Sequence, residues 1–165
     1  MKCTISAILL IACLPLNAQV KEAVYSDRIK TPQLYVYGNQ LAYPVIRLNS
    51  TDRLELHFDD LDANVKNYYY TFQLCDADWK PCMLSTFDFI SGFSQQRITQ
   101  YRSSSIAFTR YTHYQAVLPD RNCMPTRSGN YILKVYLNGD TSRLAFTKRF
   151  LVVDEKASIA AQIQQ

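Results

Sequence analysis

Apolar and polar residues alternate one by one along several short stretches of this 165-residue chain. In the stretch 53–58, Leu54, Leu56 and Phe58 are each separated by a polar residue. A repeat of two is that of a β-strand with one buried and one wet face, whereas a helix repeats about every 3.6 residues. The same alternation covers 68–74, 113–118 and 131–137, and weaker forms cover 33–37, 44–49, 98–105 and 143–153. Eight short strands predict an all-β fold, an antiparallel immunoglobulin-like β-sandwich.

The residues between these stretches favour turns. Asn138-Gly139 lies between the last two stretches, and both residues tolerate the positive φ angles that a type I′ hairpin turn requires. Pro119 ends the stretch before it, because proline has no N–H to donate to a strand ladder. Lys148 interrupts the apolar face of the last stretch, which predicts a bulge or an exposed strand end there. Residues 81–96 show no clean alternation, so we expect a long, partly ordered loop, and such loops are often functional.

The first eighteen residues have the features of a secretory signal peptide. A positive start at Lys2 is followed by an apolar run over 4–16 and by the small residue Ala18, after which we expect cleavage. The run is shorter than the roughly 20 apolar residues of a membrane span. A second interpretation is a lipoprotein box at 10–13, which would lipidate Cys13. The chain stays apolar after Cys13, which favours cleavage after Ala18, and both interpretations predict export.

Residues 19–154 are long enough for one domain with a real core, and we expect this range to be the sandwich. Residues 155–165 resemble a linker or the truncated start of a further region. Loss of Lys2 with the leader lowers the net charge from +4 to +3. Because this charge is small and the basic residues are scattered, the sequence does not indicate nucleic-acid binding.

Three cysteines follow the leader, namely Cys75, Cys82 and Cys123. An odd number in an exported protein leaves at least one thiol free or bridged to another chain. Cys75 and Cys82 flank a segment rich in Asp and Pro that suggests a chain reversal, so a disulfide between them could form in an oxidising compartment. The alternative is that both are buried or unpaired thiols.

The sequence contains no recognisable catalytic motif. There is no Gly-x-Ser-x-Gly elbow, no His-Glu-x-x-His pair and no glycine-rich phosphate loop. His57 and His113 fall on the predicted wet faces of different strands, where we expect solvated surface histidines. We therefore predict a protein that is not an enzyme and that holds no metal and no cofactor.

The acidic run at 60–64 begins like an EF-hand calcium loop. Val65 then stands where that loop needs glycine, and Thr71 stands where it needs a bidentate Glu. The better interpretation is an Asp-rich turn before the next strand.

Five aromatic residues cannot all be placed on a core face by the alternation: Tyr69, Trp79, Phe87, Phe89 and Phe93. One hypothesis is that the 81–96 loop folds over the sandwich and buries them. The other is an exposed apolar patch that binds a partner, with Phe89 and Phe93 as anchors. Aromatic residues commonly anchor such interfaces.

Eight short segments along the chain carry a resemblance to a known family, among them the run Cys75-Asp76-Ala77-Asp78-Trp79. The segments are 29–31, 43–50, 56–62, 65–73, 75–79, 98–102, 111–114 and 128–136. In this order they resemble the N-terminal domain of the type IX secretion system plug protein family. The resemblance extends from about residue 29 to residue 153, almost the whole chain after the leader.

The resemblance implies a non-enzymatic periplasmic subunit, peripheral to the outer membrane, with no nucleic-acid partner, small-molecule substrate or cofactor. Its partner would be the β-barrel translocon of the outer membrane, whose periplasmic mouth it would seal when no substrate occupies it. Family members continue beyond this domain, so we expect a fragment, a truncated product or a short paralogue. The alternative function is a secreted carbohydrate-binding β-sandwich, which would need coplanar aromatic rings on one sheet face.

Overall fold

The computed structural model of the protein describes residues 21–157. The predicted signal peptide, its cleavage site and Cys13 lie outside the described residues, as do residues 158–165 of the predicted linker. Residues 155–157 are exposed and belong to no strand or helix.

The described chain forms eleven β-strands and one 3₁₀ helix. The strands are β1 (Ile29–Val36), β2 (Val45–Arg47), β3 (Leu54–Asp60), β4 (Tyr68–Cys75), β5 (Ile90–Gly92), β6 (Gln96–Arg97), β7 (Gln100–Ser103), β8 (Thr112–Leu118), β9 (Cys123–Pro125), β10 (Gly129–Leu137) and β11 (Leu144–Val153). The 3₁₀ helix covers Thr86–Asp88.

The strands form two main sheets and one small ribbon. One sheet has the order β1-β3-β8-β7, and the other has the order β2-β11-β10-β4-β6. All pairs within them are antiparallel except β2 with β11. Strands β5 and β9 form the separate two-stranded ribbon. The predicted all-β fold with antiparallel sheets is confirmed.

Aromatic rings from both sheets meet around Phe58. Its ring stacks on Tyr114 at a centroid distance of 5.1 Å, and it contacts Tyr68 edge-on at 5.1 Å and Phe146 at 4.9 Å. Phe58, Tyr114 and Phe146 have no exposed surface. Because Phe58 and Tyr114 belong to one sheet and Tyr68 and Phe146 to the other, these contacts join the two layers.

The hydroxyls of Tyr68 and Tyr114 form hydrogen bonds at the β3–β4 connection, where the buried carboxylate of Asp60 lies beside Lys66. Tyr68 Oη donates to Asp60 Oδ2 at 2.9 Å, and Lys66 Nζ lies 2.8 Å from the same oxygen. The backbone N–H of Lys66 donates to Tyr114 Oη at 2.6 Å. Burial, followed by the hydrogen bond to Asp60, raises the pKa of Tyr68 far above its usual range. The acidic run is therefore a turn that anchors the core.

The N-terminal segment lies along the edge of β11 that faces away from β10. Thr147 N–H donates to the carbonyl of Ala23 at 2.9 Å, and Tyr25 N–H donates to the carbonyl of Ala145 at 2.9 Å. The side chain of Glu22 continues the contact, because it accepts from Lys148 Nζ at 3.0 Å. Beyond this segment, β2 covers the rest of the same edge.

Two predictions about β10 and β11 have different outcomes. Asn138 and Gly139 have φ angles of 57° and 72°, which confirms the positive-φ turn between these strands. The bulge predicted at Lys148 is wrong, because Lys148 pairs regularly with Leu133 and its ammonium reaches Glu22. The irregularity lies at Ala145, the extra residue in the β11 register.

The 81–96 segment is more ordered than expected. It contains the 3₁₀ helix and β5, whose Ser91 pairs with Met124 of β9. Gly92 has a φ of 94°, and a side chain there would collide with the backbone of Asn122. Alternation could not reveal β5, because three residues are too few to display a period.

We expect Leu56→Ala to lower the free energy of unfolding by about 2–5 kcal/mol, because Leu56 is fully buried. Val117 on β8 is a control, since 38% of its surface is exposed. Val117→Ala should change the same free energy by no more than about 0.5 kcal/mol. Denaturant unfolding followed by circular dichroism measures both. Equal losses would contradict the assignment of inner and outer faces.

Candidate interaction surface

The structure divides the five aromatic residues between core and surface. Phe87 and Phe93 are exposed over 78% and 65% of their surface. Phe89 is 1% exposed, and its ring packs against Tyr131 at 6.2 Å, so it belongs to the core and is not available as a surface anchor. Tyr69 and Trp79 are half-buried.

The backbone around the 3₁₀ helix explains this division. Ser85 N–H donates to Asp88 Oδ2 at 3.0 Å, which stabilises the start of the short helix. On the other side, Thr126 N–H donates to the carbonyl of Phe89 at 2.9 Å. Phe87 lies on the exposed side of this anchored turn, and the side chain of Phe89, two residues later, is buried in the core.

Two neighbouring apolar residues share the exposure of Phe87 and Phe93. Met83 is fully exposed and Leu84 is 42% exposed. We refer to Met83, Leu84, Phe87 and Phe93 as the loop set. The aromatic content of the segment does not reveal the first two, because Met83 and Leu84 carry no ring.

Trp79 is held in a tight turn after β4. Asp76 Oδ1 accepts hydrogen bonds from the N–H groups of Asp78 and Lys80, both at 2.9 Å, and Trp79 has a φ of 62°. The guanidinium of Arg149 lies 4.3 Å from the centre of the Trp79 ring, a cation–π contact. The ring is therefore fixed beside the outer face of β11.

The three cysteines are free thiols, with Cys75 and Cys123 buried and Cys82 half-buried. Burial, and next the Cys82 thiol, raises the pKa of Cys75 to about 11. Burial raises the pKa of Cys123 to about 12. Because the thiolate is the reactive form, these shifts lower the reactivity of both thiols at neutral pH. A Cys75–Cys82 disulfide stays a prediction.

His57 and His113 form a polar cluster, so the prediction of two solvated histidines is wrong. His57 Nδ1 lies 3.0 Å from His113 Nε2, and His113 Nδ1 lies 2.7 Å from Asp59 Oδ1. His57 also stacks on Tyr35 at 5.5 Å and lies 3.4 Å from Glu55, and its side chain is only 18% exposed. The reason is the register of β3 and β8. Asp59 pairs with His113 and His57 pairs with Gln115, so His57 and His113 are diagonal neighbours on the same face of the sheet.

A cavity of about 510 Å³ opens beside this cluster. Its lining is polar and consists of Thr99, Gln100, Tyr101, Arg102, His113 and Gln115. Across residues 21–157, no group of three or more His, Cys, Asp or Glu side chains is arranged to hold a metal ion. The same range contains no helix that is long and apolar enough to cross a bilayer.

Phe87 and Phe93 do not form a sugar-binding platform on a sheet face. Such a platform needs rings that lie coplanar on one sheet face with polar groups at the rim. Phe87 lies in the 3₁₀ helix and Phe93 follows β5, so neither lies on the face of a main sheet. The arrangement fits contact with a protein better than stacking on a carbohydrate.

The chain is similar to one described family over most of its length. The family model, described as the type 9 secretion system plug protein 1st domain, matches residues 29–154. The matched range begins with β1 and ends one residue after β11.

One solved structure has the same fold at substantial identity. It is the crystal structure of a hypothetical protein from Parabacteroides merdae ATCC 43184, with 34% identity and a TM-score of 0.77. The match covers 82% of this chain and 34% of that one, so the chain spans about a third of the length of this relative.

A second solved structure and the curated proteins add nothing to this likeness. The DNA glycosylase AlkC of Pseudomonas fluorescens, bound to DNA containing an abasic site analog, aligns over 76% of this chain and 30% of that chain with 14% identity. Its TM-score of 0.36 is too low to indicate a shared fold. None of the curated proteins compared matches the chain.

We expect His57 and His113 to stabilise the fold as a unit. The two alanine substitutions should therefore be non-additive, with a coupling of about 0.5–3 kcal/mol in the free energy of unfolding. A double-mutant cycle with His57→Ala, His113→Ala and the double variant measures it. Additivity within about 0.5 kcal/mol would show that the 3.0 Å contact does not stabilise the protein in solution.

Phe89 and Phe87 should respond oppositely to truncation. Phe89→Ala should lower the free energy of unfolding by about 3–5 kcal/mol, because it empties a buried site. Phe87→Ala should change it by no more than about 0.5 kcal/mol. Thermal and denaturant unfolding of the two variants give the values. A large loss for Phe87→Ala would place that ring in the core and remove it from the loop set.

Proposed function

The chain belongs to the family of the type IX secretion system plug protein first domain, and from this membership we propose that it is a non-enzymatic periplasmic component of that system. In this role it binds the outer-membrane translocon barrel and takes part in sealing its periplasmic end. The family match over residues 29–154 is the observation that carries the proposal.

The loop set is the surface that we assign to this contact. Its four side chains leave apolar surface in water, which is unfavourable by roughly 25 cal/mol per Å². Burial against a partner removes that penalty, and apolar and aromatic residues are typical of the buried centre of an interface. Trp79, half-buried in the turn that follows β4, supplies further aromatic surface to this contact, and half-buried Tyr69 near the start of β4 stays a predicted partner residue.

The order of the surrounding backbone supports this assignment. Arg127 Nε donates to the carbonyl of Asp88 at 2.9 Å, and Phe93 N–H donates to the carbonyl of Asn122 at 2.6 Å. Side chains presented by a fixed backbone lose less conformational entropy on binding than those on a free loop.

Export to the periplasm is the location that fits this function. The predicted signal peptide with cleavage after Ala18 supplies the route. A protein delivered this way, with residues 19–154 as its binding domain, would be peripheral to the outer membrane through its partner.

The experiment is co-purification of the tagged chain with the barrel from its native envelope. The Phe87→Ser/Phe93→Ser double variant should lose the barrel while its melting temperature stays unchanged. The matched control is Tyr37→Ser/Tyr43→Ser, because those rings are exposed to a similar extent, 60% and 61%. This control should retain the barrel.

Three results would count against the proposal. Failure of the unaltered chain to bring down the barrel would contradict the function itself. Retention of the barrel by the Phe87→Ser/Phe93→Ser variant would leave the function standing but remove the loop set as the contact. Equal loss in both double variants would indicate non-specific adhesion of apolar surface.

A further inference from the structure

Residues 105–110 connect β7 to β8 as a projecting tip. The tip is closed at its base by two hydrogen bonds: Ser104 N–H donates to the carbonyl of Tyr111 at 2.9 Å, and Tyr111 N–H donates to Ser104 Oγ at 3.0 Å. Between them, Ile106 is 97% exposed and Phe108 is fully exposed. We refer to residues 105–110 as the β7–β8 tip.

The β7–β8 tip and the loop set leave the fold at different ends. β3 ends at Asp60 beside the start of β8, and Tyr68 begins β4 a few residues later, so the tip lies at the Tyr68 end of β4. The segment that carries the loop set follows Cys75, at the other end of β4. The tip therefore requires an explanation of its own.

The shape of the tip favours insertion. Ile106 and Phe108 do not line a groove, because each is almost completely surrounded by solvent. Two large apolar side chains two residues apart on a closed turn form a small convex wedge. A wedge of this kind fits the soft boundary between lipid headgroups and acyl chains, whereas a protein partner would need a matching pocket.

Charge around the tip favours an anionic partner. Residues 89–119 contain three arginines and no aspartate or glutamate. Of these, Arg102 lies on β7 just before the tip and Arg110 is the last residue of the tip. Both are exposed, and neither forms an ion pair within the part of the chain that the structure describes. The nearby carboxylate of Asp59 is already engaged by His113 and by Thr31 Oγ1.

We propose that the β7–β8 tip binds an anionic lipid surface. Ile106 and Phe108 enter the headgroup–acyl boundary, and Arg102 and Arg110 contact lipid phosphates. Apolar insertion and electrostatic attraction each give weak membrane binding alone, and together they give a stable attachment. This inference goes beyond the proposed contact with the translocon and does not depend on it.

The test is co-sedimentation of the purified chain with large vesicles. One set contains equal parts of phosphatidylglycerol and phosphatidylcholine, and the other contains phosphatidylcholine alone. The chain should bind the first set, and added salt should weaken the binding, because salt screens the arginines. The Ile106→Ser/Phe108→Ser variant should bind the same vesicles roughly tenfold less. Arg102→Gln/Arg110→Gln should lose the preference for anionic vesicles.

Leu41→Ser is the matched control, because Leu41 is 98% exposed but lies in the β1–β2 connection. It should bind as the unaltered chain does. All variants should keep the melting temperature of the unaltered chain, since none of the changed side chains is buried.

The proposal is overturned if the unaltered chain does not bind anionic vesicles. It is equally overturned if the Ile106→Ser/Phe108→Ser variant binds them undiminished, or if Leu41→Ser weakens binding to the same extent. A further arm uses detergent-solubilised envelope, from which lipid surfaces have been removed. In one outcome, the chain captures a protein from this extract in a way that depends on Ile106 and Phe108, and yet does not bind vesicles. That outcome would show that the tip binds a protein and not a lipid surface.

Discussion

The packing of this sandwich depends on tyrosine rings whose hydroxyls must be satisfied inside the protein. Tyr68 and Tyr114 fill the centre with Phe58, and a buried hydroxyl without a partner costs about 1–3 kcal/mol. The fold meets this requirement at the β3–β4 connection, where Asp60 accepts from the Tyr68 hydroxyl, the Lys66 backbone N–H donates to the Tyr114 hydroxyl, and the Lys66 ammonium pairs with Asp60. Each group needs the others: Asp60 without Lys66 would be a buried charge without its cation. The turn, the two sheets and the aromatic core therefore form one cooperative unit.

Most of the fold could be predicted from the sequence because the longer strands of the two main sheets, such as β3 and β4, alternate between buried and partly exposed residues. Leu54, Leu56 and Phe58 are all fully buried, as the alternation predicts, and Asn138-Gly139 forms the expected positive-φ turn. β5 could not be predicted, because its three residues are too few to display the repeat of a strand. Lys148 interrupts the apolar pattern without causing a bulge, because its backbone pairs regularly with Leu133 and its ammonium reaches Glu22.

The surface was harder to predict than the core, for a related reason. Alternation assigns a residue to a face, but it does not say which side chains meet across that face. His57 and His113 lie on the wet face as expected, yet strand register brings them together. Phe87 and Phe89 are two residues apart in a 3₁₀ turn, where the period of a strand does not apply, and they face opposite environments. Ile106 and Phe108 lie in a tip with no period at all, so their exposure appears only in the structure.

The N-terminal segment along β11 has a consequence for self-association. An open strand edge is a template on which another chain can add a strand, and such edges lead to dimers and fibrils. Here Ala23 and Tyr25 occupy the backbone groups of Thr147 and Ala145, while β2 occupies those nearer the end of β11. The segment thus covers backbone groups of β11 that would otherwise be open to pairing with another chain. A chain that lost residues 21–25 would therefore expose the backbone groups of β11 at Ala145 and Thr147 to strand addition.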